Sequence, residues 1–239
     1  MTALSPLIQH IPGIVHGFGD KTALLPYALQ PWQQTLPVKK QVHGIHIQQV
    51  THPAEACGDA DGLLTSAPGV LLTVLTADCL PLLFCRRDGP RIAVLHAGWR
   101  GLLAGIIERF AELLARDDDP GQWVAAIGPA AGACCYEVDE KLVAEFLAAL
   151  PMPAALVSPA HRRLDLAAIA RYKLQLLGFS AVDDIGHCTI CTTLDTDATQ
   201  PAPRFRYTSF RRNSRRRAID PSYPTISGRN QHSGLVILP

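Results

Sequence analysis

The sequence predicts an α/β fold built on mixed β-sheets. Two observations predict it: short apolar, β-branched runs alternate with segments of helical periodicity, and the two kinds interleave irregularly rather than in a regular parallel winding. Length is the third. The chain has 239 residues, 48% of them hydrophobic, enough for a sizeable core, and one domain over residues 1–239 fits better than two.

The elements follow in order. "LLPYALQPWQQTLP" (Leu24 to Pro37) carries three prolines and reads as a loop with short helical pieces. "GVLLTVLT" (Gly69 to Thr76) suits a buried strand, and after a break at "ADCLP" a second apolar run, "LLFCR", follows. "RIAVLH" (Arg91 to His96) is a further strand, and Arg100 to Arg116 reads as one helix with an apolar side. "WVAAIG" (Trp123 to Gly128) is a strand ending in a Gly-Pro turn. "DEKLVAEFLAAL" and "LDLAAIARYKLQLLG" are amphipathic helices, each with an Asp near its start, and Gly178 is a C-cap for the second. "GLVILP" is a strand.

Net charge is +1, so no global basic field points to nucleic acid or to an anionic membrane. The N-terminal segment has no basic stretch followed by an apolar run, and no apolar stretch reaches ~18 residues, so a cytoplasmic location, with no membrane partner, is expected. The seven cysteines are then expected as thiols, core residues or ligands rather than a disulfide framework. The assembly is expected to be a monomer or a small homo-oligomer.

"AVLHAGWRGLLAGI" places His96 where an apolar run stops and a helix starts. His43 is followed by a glycine, and Cys79 sits where "TVLTADC" breaks off before Leu-Pro. Strand ends that converge on one pocket would bring these three together, and two imidazoles with one thiolate suit Zn²⁺ with a fourth position open. The spacings of 36 and 17 residues match no compact zinc motif. The residues alone therefore leave three readings: hydrogen-bonded histidines with a core cysteine, a metal-free Cys–His nucleophilic pair, or a metal site.

"QVHG", "DADGLLT", "TADCLPLLF", "HAGWRG" and "IGPAAGACCYEV" occur in this order, and together they resemble the YfiH/laccase-domain family, from about Val15 to Arg229. The resemblance implies an α/β/β/α layered arrangement of mixed sheets. It also implies that His43, Cys79 and His96 form the metal-binding catalytic site. Its activities would be zinc-dependent phosphorolysis of purine nucleosides (inosine, adenosine or guanosine with phosphate) and, as a second activity, adenosine deamination. The chain departs from the family pattern at "GDKTALLP" after "HGF", and between "SFRR" and Gly228-Arg229, so both loops bear on substrate preference.

Beside these, Arg100 at a helix start could hold phosphate. Asp61 could orient a ligand or handle a proton, or form an Asx turn. Gln41 is a contact for substrate or a solvated strand residue; Tyr136, with Glu137, lines the pocket or caps the next helix. Trp99 is a purine-stacking surface or a core aromatic. Arg211 could reach an anion, within a run of seven arginines from Arg204 to Arg217 that otherwise reads as a solvated basic loop. Cys134 and Cys135 read as structural. Cys188 and Cys191 form a CxxC without a second CxxC, which leaves a second-metal or redox role unsupported.

Three rival functions remain. A copper polyphenol oxidase needs further histidines for coupled coppers, and the nine present include no His-x-His pair. A peptidoglycan precursor editing hydrolase, acting on a UDP-MurNAc-amino acid, could use the same zinc or cysteine. A non-catalytic zinc-stabilised module would need a fourth protein ligand, such as His46 or Cys85.

Overall fold

The computed structural model describes residues 2–194 and 203–239. In chain order the elements are α1 (Pro6–Gln9), β1 (Ile14–Phe18), a 3₁₀ helix (Tyr27–Thr35), β2 (Val38–Lys40), β3 (Ile47–Val50), β4 (Ala56–Asp59) and β5 (Gly62–Thr65). Then come β6 (Leu72–Thr76), β7 (Leu80–Arg86), β8 (Ile92–Ala97), α2 (Trp99–Ala104), α3 (Ile106–Leu114), a short 3₁₀ turn (Pro120–Gln122) and β9 (Trp123–Ile127). The remainder are α4 (Glu140–Ala149), α5 (Ala154–Val157), α6 (Leu166–Leu176), β10 (Ala181–Asp184), α7 (Phe210–Ile219) and β11 (Gln231–Ile237).

A six-stranded mixed sheet runs in the order β10-β9-β7-β8-β5-β3, a three-stranded antiparallel sheet in the order β1-β11-β6, and β2 pairs with β4. Strand alternation sends neighbouring side chains to opposite faces, and it divides the core in two. Leu82, Phe84, Ala93 and Leu95 join the side chains of α3 and α6, whereas Leu83, Cys85, Ile92 and Val94 meet Leu72, Val74 and Leu235 of the smaller sheet. On the far side of that sheet, Leu29 of the 3₁₀ helix packs on Val236 and Leu71. The layers are thus helix, sheet, sheet, helix, as expected, with a 3₁₀ helix forming the last.

Two expectations are corrected. The helix read over Arg100 to Arg116 is two helices, because Gly105 adopts φ +92° and turns the chain between α2 and α3. The buried Lys173 ammonium caps the break, donating to the Leu102 carbonyl at 2.7 Å and the Glu108 carboxylate at 2.6 Å. The basic run read as a loop is largely α7. Ser209 caps it, accepting from the Arg212 amide at 3.0 Å, and Arg212 itself is buried, donating to the carbonyls of Thr189 and Ile190 at 2.8 Å each.

Candidate functional site

Strand endings build the site. β8 delivers His96 on its penultimate residue, the β6–β7 connection delivers Cys79, and the turn between β2 and β3 delivers His43. Their donor atoms lie within 4.8 Å of one another, and no fourth His, Cys, Asp or Glu belongs to the cluster among the described residues. The His43 and His96 rings meet edge to face at 4.8 Å between centroids. Backbone conformation is part of the assembly. His43 has φ +62° and Asp78, the neighbour of Cys79, has φ +92°, a left-handed geometry that costs non-glycine residues energy and persists only where surrounding contacts enforce it. Gly98 supplies space: a Cβ there would stand 3.0 Å from Cys79 Sγ and 3.1 Å from His43 Cδ2.

Asp61 is the buried anion beneath these residues. Its carboxylate accepts from the amides of His43 at 2.9 Å, Gly44 at 2.7 Å and Val42 at 3.2 Å, and from His96 Nδ1 at 2.7 Å. Burial alone would raise its pKa, but the hydrogen bonds from His96 and the amides hold it below the usual carboxylate value. With Nδ1–H committed to a carboxylate, His96 presents Nε2 as its free donor. Asp61 has no exposed surface, so in place of the expected contact with substrate the structure gives it a positioning role.

Burial, then the neighbouring His96, lowers the His43 pKa and so favours the neutral ring. Burial, followed by the charges of Asp78 and Asp61, pushes the Cys79 thiol up to about 12. A thiol in that environment stays protonated at neutral pH unless a cation offsets the field, which weakens the metal-free Cys–His pair and suits a metal. Two imidazoles and a sulfur, with no fourth protein donor, are an open ligand set that could hold a metal ion.

These residues lie on the wall of a cavity of about 710 Å³ that also takes in Lys39, Gln41, Trp99, Arg100, Tyr136, Arg211 and Asn230. Four of the expected substrate contacts are therefore brought together: Arg100, Gln41, Tyr136 and Arg211. The Arg100 guanidinium lies over the Trp99 ring, 4.6 Å from its centroid, and Arg211 lies over Tyr136 at 5.1 Å. Gln41 is held by the backbone of Leu75, with both bonds at 2.8 Å. Tyr136 and Glu137 do not cap the next helix, since Asp139 does so by accepting from the Leu142 amide at 2.7 Å. His46 and Cys85, weighed as a fourth ligand, lie outside the cluster.

Sequence reading missed Lys39, Asp78 and Asn230. Burial lowers the Lys39 ammonium to about 8, and it donates to Gln41 Oε1 at 2.8 Å. The Asp78 carboxylate accepts from Thr189 Oγ1 at 2.6 Å, Ser209 Oγ at 3.0 Å and the Arg211 amide at 2.6 Å, tying the Cys79 turn to the loop after β10 and to the start of α7. Asn230 Oδ1 is buried on the cavity wall without a hydrogen-bond partner. The "TADC" motif was a signal for Asp78; Lys39 and Asn230 had none. The two sulfur pairs set apart in sequence also meet: the sulfurs of Cys134, Cys135, Cys188 and Cys191 lie within 4.8 Å of one another.

The family model described as multi-copper polyphenol oxidoreductase laccase matches residues 22–196. A purine nucleoside phosphorylase of Pseudomonas aeruginosa is 36% identical over 181 residues, 73% of this chain and 68% of that protein. The purine nucleoside phosphorylase YfiH of Escherichia coli is 36% identical over 152 residues, 63% of this chain and 62% of that one, so the chain spans less than two thirds of its length. Among solved structures, YlmD from Geobacillus stearothermophilus superposes with a TM-score of 0.75 at 26% identity, covering 98% of this chain and 94% of that one. A Neisseria meningitidis protein gives 0.73 at 25% identity, with 100% and 99% covered. Helix-and-sheet layering, the five motifs and these likenesses agree: the chain belongs to the laccase-domain, or YfiH, family.

Proposed function

We propose that the chain is a zinc-dependent purine nucleoside phosphorylase, converting inosine, adenosine or guanosine and inorganic phosphate to the free base and ribose 1-phosphate, with adenosine deamination as a second activity. The observation that carries this reading is that an open His43/Cys79/His96 donor set shares one cavity wall with Lys39, Arg100 and Arg211. None of these cations has a carboxylate within salt-bridge distance among the described residues. The names of the relatives support the substrate class. Zinc at this site supplies a Lewis acid and a source of activated water.

Residues divide the remaining work. Arg100, steadied by Trp99, and Lys39 bind the phosphate, which must approach the anomeric carbon as the glycosidic bond breaks. The unpartnered Asn230 Oδ1 accepts from an N–H of the purine. Arg211 and Tyr136, which line the same cavity, balance charge on the departing base. Asp61 keeps both histidines oriented while having no contact with substrate. No helix among the described residues is long and apolar enough to cross a membrane, which fits a cytoplasmic enzyme working as a monomer or small homo-oligomer on small molecules. A polyphenol oxidase needs further histidine clusters for its coupled coppers, and among the described residues no histidine group stands beside His43, Cys79 and His96.

The test is metal content together with phosphate-dependent release of hypoxanthine from inosine, in wild type and Cys79→Ala. Zinc in the wild type, with turnover lost in the variant, is expected. Zinc without nucleoside turnover, but with hydrolysis of a UDP-MurNAc-amino acid, overturns the substrate assignment in favour of precursor editing.

A further inference from the structure

The second sulfur cluster lies outside the cavity's chemistry. Cys134 and Cys135 sit in the loop between β9 and α4, and Cys188 and Cys191 in the loop after β10. The loops are joined by backbone: the Ala130 amide donates to the His187 carbonyl at 3.2 Å, and the Thr189 amide to the Ala130 carbonyl at 2.8 Å. All four Sγ atoms lie within 4.8 Å of one another. A tetrahedral zinc with Zn–S bonds of about 2.3 Å sets its sulfurs about 3.8 Å apart; Cys134 and Cys191 stand at 3.7 Å.

Second, the backbone is arranged for a charged sulfur. Cys188 Sγ accepts from the Gly132 amide at 3.3 Å. An amide dipole aimed at a sulfur favours its charged form. Gly132 leaves room for this: a Cβ there would lie 3.2 Å from Cys188 Cβ and 3.5 Å from the sulfurs of Cys134 and Cys188.

We infer that Cys134, Cys135, Cys188 and Cys191 form a second zinc site, closed by four thiolates and structural in role. Binding replaces four S–H bonds with four Zn–S bonds and releases the protons to solvent, with no change of oxidation state. A site closed by four protein donors has no position for substrate. Its consequence is mechanical: it pins the loop that carries Tyr136 to the loop that holds Asp78 through Thr189, so a metal adds to the backbone bonds and packing that hold one rim of the cavity. This inference does not depend on the reaction proposed above.

The experiment uses the Cys79→Ala protein, whose first cluster keeps no sulfur. Purified under reducing conditions, it is expected to retain one zinc per chain, and after cobalt exchange to show sulfur-to-cobalt charge-transfer absorption with the strong visible bands of a tetrahedral site. Adding Cys191→Ser should abolish both, whereas Cys191→Ser alone should keep the metal of the first cluster. A Cys79→Ala protein without zinc, or with cobalt lacking the sulfur absorption, overturns the inference. So does thiol counting that finds Cys134 and Cys191 joined as a disulfide. Because the cobalt spectrum is read on Cys79→Ala itself, it decides the matter even where Cys191→Ser fails to fold.

Discussion

Asp61 and His96 share a hydrogen bond of 2.7 Å that is buried at both ends, and the same carboxylate accepts the His43 amide. One anion therefore orients both imidazoles of the proposed metal site. In Asp61→Asn the amide group keeps the shape but loses acceptor capacity and the charge facing His96. Metal affinity is expected to fall roughly 10–100-fold, measured by competition with a chromophoric chelator. An unchanged affinity would mean that Asp61 serves the loop alone.

Gly98→Ala tests the close approach of the donors. The backbone there, φ −69° and ψ 171°, accepts any residue, so the substitution acts through its Cβ alone, against Cys79 and His43. Metal occupancy and nucleoside turnover should drop together, with the thermal midpoint little changed. Full occupancy in this variant would show that the donors have slack.

Arg100→Ala should raise the KM for phosphate by roughly 10–100-fold, the loss of a charged hydrogen bond of about 1.5–3 kcal/mol, with the KM for inosine affected less. Steady-state kinetics with each substrate varied separately checks the split. Equal effects on both substrates would remove phosphate binding from Arg100.

Acid should weaken the fold through His16. Its ring is buried, accepts the Ser5 amide at 2.8 Å, and is held down to about 4 chiefly by burial, against a reference of 6.5. The unfolded chain takes up a proton first, so the stabilisation is present above pH 6.5 and is lost as pH falls toward 4, by about 3 kcal/mol in all. Urea titrations at pH 7 and pH 4.5 should show the loss, and His16→Gln should flatten the slope. An equally steep slope in the variant assigns the acid sensitivity to other groups.

The sequence made legible what is local. Strands β6 to β9 show as short apolar runs and helices α4 and α6 by their helical periodicity, and the ends of those strands announced Cys79 and His96. Gly105 was visible inside the helical pattern, and a glycine there is a known signal for a break. Helix α7 had no apolar stripe to read, because its buried face is made by Arg212 and Asn213, whose hydrogen bonds with backbone carbonyls substitute for hydrophobic contact. What could not be read was long-range pairing. Cys134 and Cys191 lie 57 residues apart, and nothing in either loop specifies the other; nor does any motif tell that Asp61 points beneath His96 rather than at a ligand.

The placement of β11 has a consequence for synthesis. It lies between β1 and β6 and pairs with both, although it is made after all the other strands. Residues 14–18 and 72–76 leave the ribosome before the strand that pairs with both is made, and the Asp78 carboxylate waits for partners 111 to 133 residues downstream. A nascent chain of this protein thus carries an unfinished sheet and an unfinished cavity until residue 237 emerges, the interval in which an unpaired edge is open to chaperones or to aggregation.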